Sequence, residues 1–173
     1  MSGFFGTHES TLDRKKAGRV TLPRDFRNEL PKITDTEEVR EVVLLQSPED
    51  FYPTVFGFPR YMLETIKGVQ FRFDEIIDDG TNIAADILAS SRPVKTESTG
   101  RLSMPSDFIT FAEYGDKVQF CGQGDFFEIW REGGFAAFRD ARRTSATRKI
   151  LQRVAAAGAD QVAIDKIFSG GVS

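Results

Sequence analysis

The sequence predicts an α+β fold built from two similar halves, and three observations carry that prediction. Residues 18–26, GRVTLPRDF, return 82 positions later as residues 100–108, GRLSMPSDF, in register in residue class everywhere except Arg24 against Ser106. A second echo follows each copy: EVVLLQSPEDFYPTVFG (41–57) parallels DKVQFCGQGDFFEIWREG (116–133). Both read as an apolar strand, a turn ending in Asp50 or Asp125, then an aromatic strand starting at Phe51 or Phe126. Outside the echoes the apolar residues change from alternation to helical spacing. A repeat of 82 residues is too long for a solenoid unit and suits two halves of one fused fold.

Each half reads as strand, tight turn, strand, short helix, strand, turn, strand. Residues 3–12 are the first strand, and RKKAG is a turn in which Gly18 can take a positive φ. Arg19 to Leu22 alternate polar and apolar as a half-buried strand does. Pro23 ends that strand and suits the first turn of a helix, PRDFRNEL, as Pro105 does for PSDFITFAEY. The first half carries an extra PKITDTEE before its third strand.

Residues 58–89 link the halves through PRYMLETIK and FDEIIDDGTNIAADILAS. Ile76, Ile77, Ile83, Ala84, Ile87 and Leu88 recur there at helical spacing, with a break at Gly80. After Gly133 and Gly134, FAAFRDARRTSATRKILQRVAAA reads as a long basic helix with Phe135, Phe138, Ile150, Leu151 and Val154 near its apolar side. A short helix DQVAIDKIF and a disordered SGGVS follow. The expected organisation is a first domain at 4–57, linking helices at 58–89, a second domain at 90–133 and a basic helical extension at 134–173.

Composition narrows the function. With 40% hydrophobic and 28% charged residues the chain can bury a core. No apolar run approaches the roughly 18 residues of a membrane helix, and MSGFFGTHE lacks the secretory pattern, so a cytoplasmic protein is expected. Cys121 is the only cysteine, expected as a small buried hydrophobe; His8 is the only histidine, expected on a sheet surface. Neither has the partners a metal site needs. No phosphate-binding Gly-rich loop, nucleophile elbow or metal-ligand cluster is present, and Asp78–Asp79 lie in a linking stretch without a histidine. The expectation is a non-enzyme with no cofactor, no metal and no small-molecule substrate.

The net charge is −3, which argues against a uniformly basic nucleic-acid binder, but charge is segregated by region. TLDRKKAGRVTLPRDFR (11–27) is basic, and ELPKITDTEEVREVVLLQSPED after it is acidic. In both halves the turn glycine, Gly18 or Gly100, precedes an arginine, Arg19 or Arg101, at the base of a hairpin loop. A solvated arginine in a duplicated element is the bland explanation. Recurrence beside the same glycine favours a held guanidinium, which suits bidentate contact with phosphate or a guanine edge. The candidate DNA-binding residues are Arg14, Lys15, Lys16 and Arg19 in the first turn, and Lys95 and Arg101 in the second. Their distribution predicts that the first turn supplies more electrostatic anchoring and the second proportionately more discrimination.

LDRKKAGRVTLPRDFRNEL and ESTGRLSMPSDF…GDKVQFCGQGDFFEIW resemble the two halves of the MraZ family, bacterial regulators built from two SpoVT/AbrB-type domains. The resemblance covers about residues 4–133. The family's turn motif is an acid, three other residues, then arginine; here the second copy is Glu97-Ser-Thr-Gly-Arg101. In the first copy the same count back from Arg19 reaches Lys15, and Asp13 lies two positions earlier, as a two-residue insertion in the turn would leave it. The resemblance implies duplicated AbrB-like swapped-hairpin β-barrel halves and subunits that close into a ring bearing many loops on one face. It implies a nucleoid-associated repressor that binds double-stranded DNA at tandem repeats upstream of the operon for division and cell-wall genes, including its own. The competing expectation is a ring-forming, non-catalytic scaffold whose acidic surface meets a protein.

Overall fold

The computed structural model of the chain describes residues 3–35, 37–47, 52–64 and 89–141. The chain divides into two compact units, residues 1–135 and 136–173. In the first, the described residues form β1 (Thr7–Asp13), β2 (Arg19–Thr21), α1 (Arg24–Glu29), β3 (Glu41–Gln46) and β4 (Val55–Phe58), then β5 (Arg92–Lys95), β6 (Arg101–Ser103), α2 (Ser106–Phe111), β7 (Lys117–Gly122) and β8 (Phe127–Arg131). The strands make one antiparallel sheet in the order β5-β3-β4-β8-β7-β1-β2-β6. Its two ends, β5 and β6, are consecutive in the chain. The turn between them has the Glu97 N–H donating to the Arg101 carbonyl at 2.6 Å and the Gly100 N–H donating to the Glu97 carbonyl at 2.9 Å. The sheet therefore curls into a nearly closed barrel, which removes most of the exposed strand edge.

Pairs of strands from the two halves of the sequence alternate around this barrel. Exchanging β1 with β5, β2 with β6, β3 with β7 and β4 with β8 leaves the order around the ring unchanged. The hydrogen bonds obey the same exchange: Leu22 N–H donates to the Gly100 carbonyl and Met104 N–H to the Gly18 carbonyl, both at 3.0 Å. Leu12 N–H donates to the Asp116 carbonyl as Thr96 N–H does to that of Arg40, both at 2.8 Å. Leu12 and Thr96 are 84 residues apart, whereas Gly18 and Gly100 are 82 apart. The two additional residues of the first half thus lie between Leu12 and Gly18, where the sequence count put them.

The short elements follow from local chemistry. Pro23 and Pro105 take nearly the same extended conformation, φ −52° and −56° with ψ near 140°, immediately before their helices. A proline there gives up no strand or helix N–H bond. One turn on, Phe26 and Phe108 point into the core. The Phe26 ring lies 5.4 Å from Phe4, 5.2 Å from Phe127 and 6.3 Å from Phe120, an aromatic cluster that joins α1 to β7 and β8. Two buried hydroxyls share one acceptor: the Ile129 carbonyl accepts from the Thr54 hydroxyl at 2.7 Å and the Tyr114 hydroxyl at 2.5 Å. In FFEIW the period of two sets Glu128 and Trp130 on one side of β8, where the buried Glu128 carboxylate accepts from the indole at 2.7 Å.

The first strand is shorter than the sequence pattern suggested. Gly6, at φ +81°, interrupts it, so regular pairing begins at Thr7, while Phe4 is held by an isolated bridge to Gly124. Cys121 is buried, and His8 sits on β1 with its ring edge-on to Phe26 at 5.1 Å. Residues 61–64, 89–90 and 134–141 are helical. The remaining helical expectations, with Gly80, Asp78–Asp79, Ile150, Leu151, Val154, DQVAIDKIF and the final SGGVS, fall outside the described residues, as do Asp50 and Phe51. No described helix is long and apolar enough to cross a membrane.

Candidate nucleic-acid interface

The two turns are built differently. In the second, Glu97 to Gly100 form a β-turn, and Gly100 at φ +83° leads the chain into β6, the arrangement of a three-residue hairpin loop with a glycine bulge. In the first, the extra residues are taken up by a 3-10 turn, Arg14–Lys16, between β1 and β2. The Asp13 carboxylate caps it, accepting from the Lys15 N–H at 3.1 Å and the Lys16 N–H at 3.2 Å. Ala17 then takes the left-handed conformation at φ +54°, uncommon for a residue with a side chain, and Gly18 follows at φ +64°.

Both turn glycines are also sites of close approach. A Cβ on Gly18 would sit 3.0 Å from the Met104 carbonyl oxygen and 2.6 Å from Ile109 Cδ1. On Gly100 it would sit 2.9 Å from both Cδ and Nη1 of Arg27. Each turn is therefore roofed by the helix of the other half, through Ile109 of α2 in one case and Arg27 of α1 in the other. Ile109 and Arg27 occupy equivalent places, 82 residues apart.

Pairing of β2 with β6 sets the geometry of the arginines. Arg19 lies opposite Ser103, Val20 opposite Leu102, and Thr21 opposite Arg101. Val20 and Leu102 face the core. By the strand alternation Arg19, Thr21, Arg101 and Ser103 share the outer face, with the two arginines as diagonal cross-strand neighbours about 7–8 Å apart. Arg19 is half-exposed and Arg101 exposed; Arg14, Lys15, Lys16 and Lys95 are exposed as well. Residues 13–19 and 95–101 together hold six basic side chains against two acids, Asp13 and Glu97, in a chain of net charge −3.

These charges are not equivalent. Arg19 Nη2 lies 2.9 Å from Oε1 of Glu97, joining the first turn's arginine to the second turn's acid. Lys16 Nζ is 3.8 Å from Asp13, a loose pair at an exposed site. Among the described residues Arg14, Lys15, Lys95 and Arg101 enter no ion pair. Arg92 is committed otherwise, bonded to Asp107 at 2.8 Å and stacked 5.5 Å over Phe108. Sequence reasoning passed over Arg27 as part of the charge run. Its guanidinium adds a seventh cation beside the second turn, and its Nε is buried without a partner among the described residues. The repeat alignment held the signal, since a charge replaces the apolar Ile109 there. The described residues contain no cluster of metal-ligating side chains.

A face of arginines and hydroxyls flanked by lysines has the chemistry to contact a polyanion through both charge and directed hydrogen bonds. No family model matches the chain. Among curated proteins, the transcriptional regulator MraZ of Gluconobacter oxydans is 31% identical to it over 146 residues, which span 84% of this chain and 86% of that protein. The chain belongs to the MraZ family. MraZ of Gluconacetobacter diazotrophicus is 30% identical over 151 residues, covering 87% of the chain and 92% of that protein. MraZ of Rhodospirillum rubrum is 29% identical over 154 residues, with 86% and 92% covered. These MraZ alignments are long enough to take in most of both halves, not one turn alone.

Proposed function

We propose that the chain is a sequence-specific, double-stranded-DNA-binding transcriptional regulator of the nucleoid, a repressor that acts on tandem repeats upstream of the operon for division and cell-wall genes, including its own. Its barrel is two AbrB-like swapped-hairpin halves, at residues 4–57 and 90–133, and copies of it close into a ring. The observation that carries the DNA reading is the shared outer face of β2 and β6, where Arg19 and Arg101 stand as diagonal neighbours among an excess of basic residues.

Arginine offers a planar fork of donors that matches the O6 and N7 acceptors of guanine, whereas the compact ammonium of lysine suits phosphate. Arg14, Lys15, Lys16 and Lys95 hold the duplex, and Arg19 and Arg101 project toward it from fixed strand positions. Gly18 and Gly100 keep the turns tight enough for that. One such face binds weakly. A ring carries several at fixed spacing, and tandem repeats engage them together at high effective concentration. The linking region at 58–89 joins the two halves in sequence, and the basic extension at 134–173 lies beyond them.

The test is a titration of a labelled duplex from the region upstream of the chain's own gene, from about 50 to 200 mM salt. The reading predicts preference over random duplex and a linear fall of log affinity with log salt. Equal affinity for both duplexes, or a flat salt response, contradicts it and favours a protein-binding scaffold.

A further inference from the structure

The exchange that relates the two halves fails at the ion pair between the turns. Glu97 and Asp13 are equivalent: each follows a residue, Thr96 or Leu12, whose N–H makes the same 2.8 Å bond to the neighbouring strand. Arg19 and Arg101 are equivalent too. If the exchange held for side chains, Glu97–Arg19 would be matched by Asp13–Arg101. Only the first pair is made, at 2.9 Å. The Asp13 carboxylate is taken up by the Lys15 and Lys16 N–H groups of the inserted 3-10 turn, and among the described residues Arg101 has no ion pair.

We infer that Glu97 is a positioning residue for Arg19, and that the two arginines consequently divide the work: Arg19, oriented by Glu97, discriminates bases, while Arg101, without a carboxylate, supplies charge to the backbone. This rests on the DNA-binding reading above and reverses, for the two arginines, the division between turns that charge counts alone suggest. The pair does little for the fold, because both side chains are more than two-fifths exposed and such surface pairs are screened. Its effect on recognition is larger. The 2.9 Å contact of Nη2 with Oε1 restricts the rotation of the guanidinium and occupies one edge of its donor fork, leaving the other edge for a guanine. Neutralisation by Glu97 also weakens the attraction of Arg19 to phosphate, so its contacts favour directed bonds over charge alone.

The experiment uses the full chain, a duplex selected by the wild-type protein from a randomised library, and an unselected random duplex of equal length. Glu97→Gln should lower the ratio of selected to random affinity by on the order of tenfold, within the range set by one bidentate base contact. On random DNA it should steepen the log–log salt slope by up to about 0.9, because Arg19 is released to a phosphate. In the Arg19→Ala background Glu97→Gln should change neither quantity. Arg101→Ala should weaken both duplexes by similar factors. A wild-type preference that Glu97→Gln leaves intact, or an Arg101→Ala loss confined to the selected duplex, overturns the inference while leaving DNA binding in place. Failure of the wild type to enrich any duplex overturns the DNA reading and the inference with it. Thermal unfolding of Glu97→Gln should match wild type; a large drop would mark the pair as a structural brace and also refute the positioning role.

Discussion

Replacing Lys15 and Lys16 together by alanine tests whether the inserted turn anchors DNA. Both side chains are exposed on the 3-10 turn, and their backbone N–H groups, not their ammonium groups, make the bonds to Asp13 that hold the turn. The variant therefore keeps the cap while losing two charges. Each phosphate neutralised on duplex DNA contributes about 0.9 to the slope of log affinity against log salt, so the double variant loses up to about 1.8 per engaged turn. Between 50 and 200 mM salt that slope difference is worth about a twelvefold change in the ratio of affinities, and more where several subunits bind at once. The loose Lys16–Asp13 pair at 3.8 Å should make the Lys16 share the smaller of the two. Fluorescence anisotropy on random and upstream duplexes across that salt range reads the slope directly. An unchanged slope would show that these lysines are solvated turn residues, and the charge segregation of the sequence would then play no part in binding.

Other outcomes follow from the same geometry. Phe26→Ala empties the centre of the ring cluster formed with Phe4, Phe120 and Phe127 and should cost about 3–5 kcal/mol, read as a fall in the denaturant midpoint. Gly18→Ala places a side chain at φ +64° against the Met104 carbonyl and should cost about 1–2 kcal/mol while displacing Arg19, so that stability and DNA preference fall together. Burial pushes the Tyr114 phenol well above the ordinary tyrosine value, opposed in part by a backbone hydrogen bond. Because the folded state resists ionisation, its contribution is complete below about pH 10, where unfolded tyrosine titrates, and is lost as pH rises beyond that. Denaturant midpoints should therefore decline above pH 10 in the wild type and less steeply in Tyr114→Phe; equal declines would refute the assignment.

The repeat was legible because its residues have local reasons to recur. Gly18 and Gly100 need positive φ, Pro23 and Pro105 end strands, and Phe26 and Phe108 bury one turn later; β2, β6, α1 and α2 consequently start where the 82-residue offset puts them. The Asp13 displacement gave away the two-residue insertion by counting alone. What the residues themselves did not disclose is tertiary. Pairing of β1 with β7 and of β3 with β5 joins segments far apart in sequence, and no local pattern specifies it. The start of β1 at Thr7 differs from the sequence pattern because Gly6 breaks an otherwise alternating run. The candidate site divides in the same way. Its six basic residues were visible as charge beside two repeated glycines. The Arg19–Glu97 bridge and the placement of Arg27 over Gly100 exist only because each half roofs the turn of the other.

The central claim, that the outer face of β2 and β6 reads repeated DNA upstream of the chain's own gene, is tested most directly by a nuclease footprint on that region with wild-type protein and with the Arg19→Ala, Arg101→Ala double variant. The account predicts evenly spaced protected segments with the wild type at concentrations that leave random DNA unprotected, and their loss in the double variant. Uniform protection without spacing, or the same protected segments with both proteins, would contradict it.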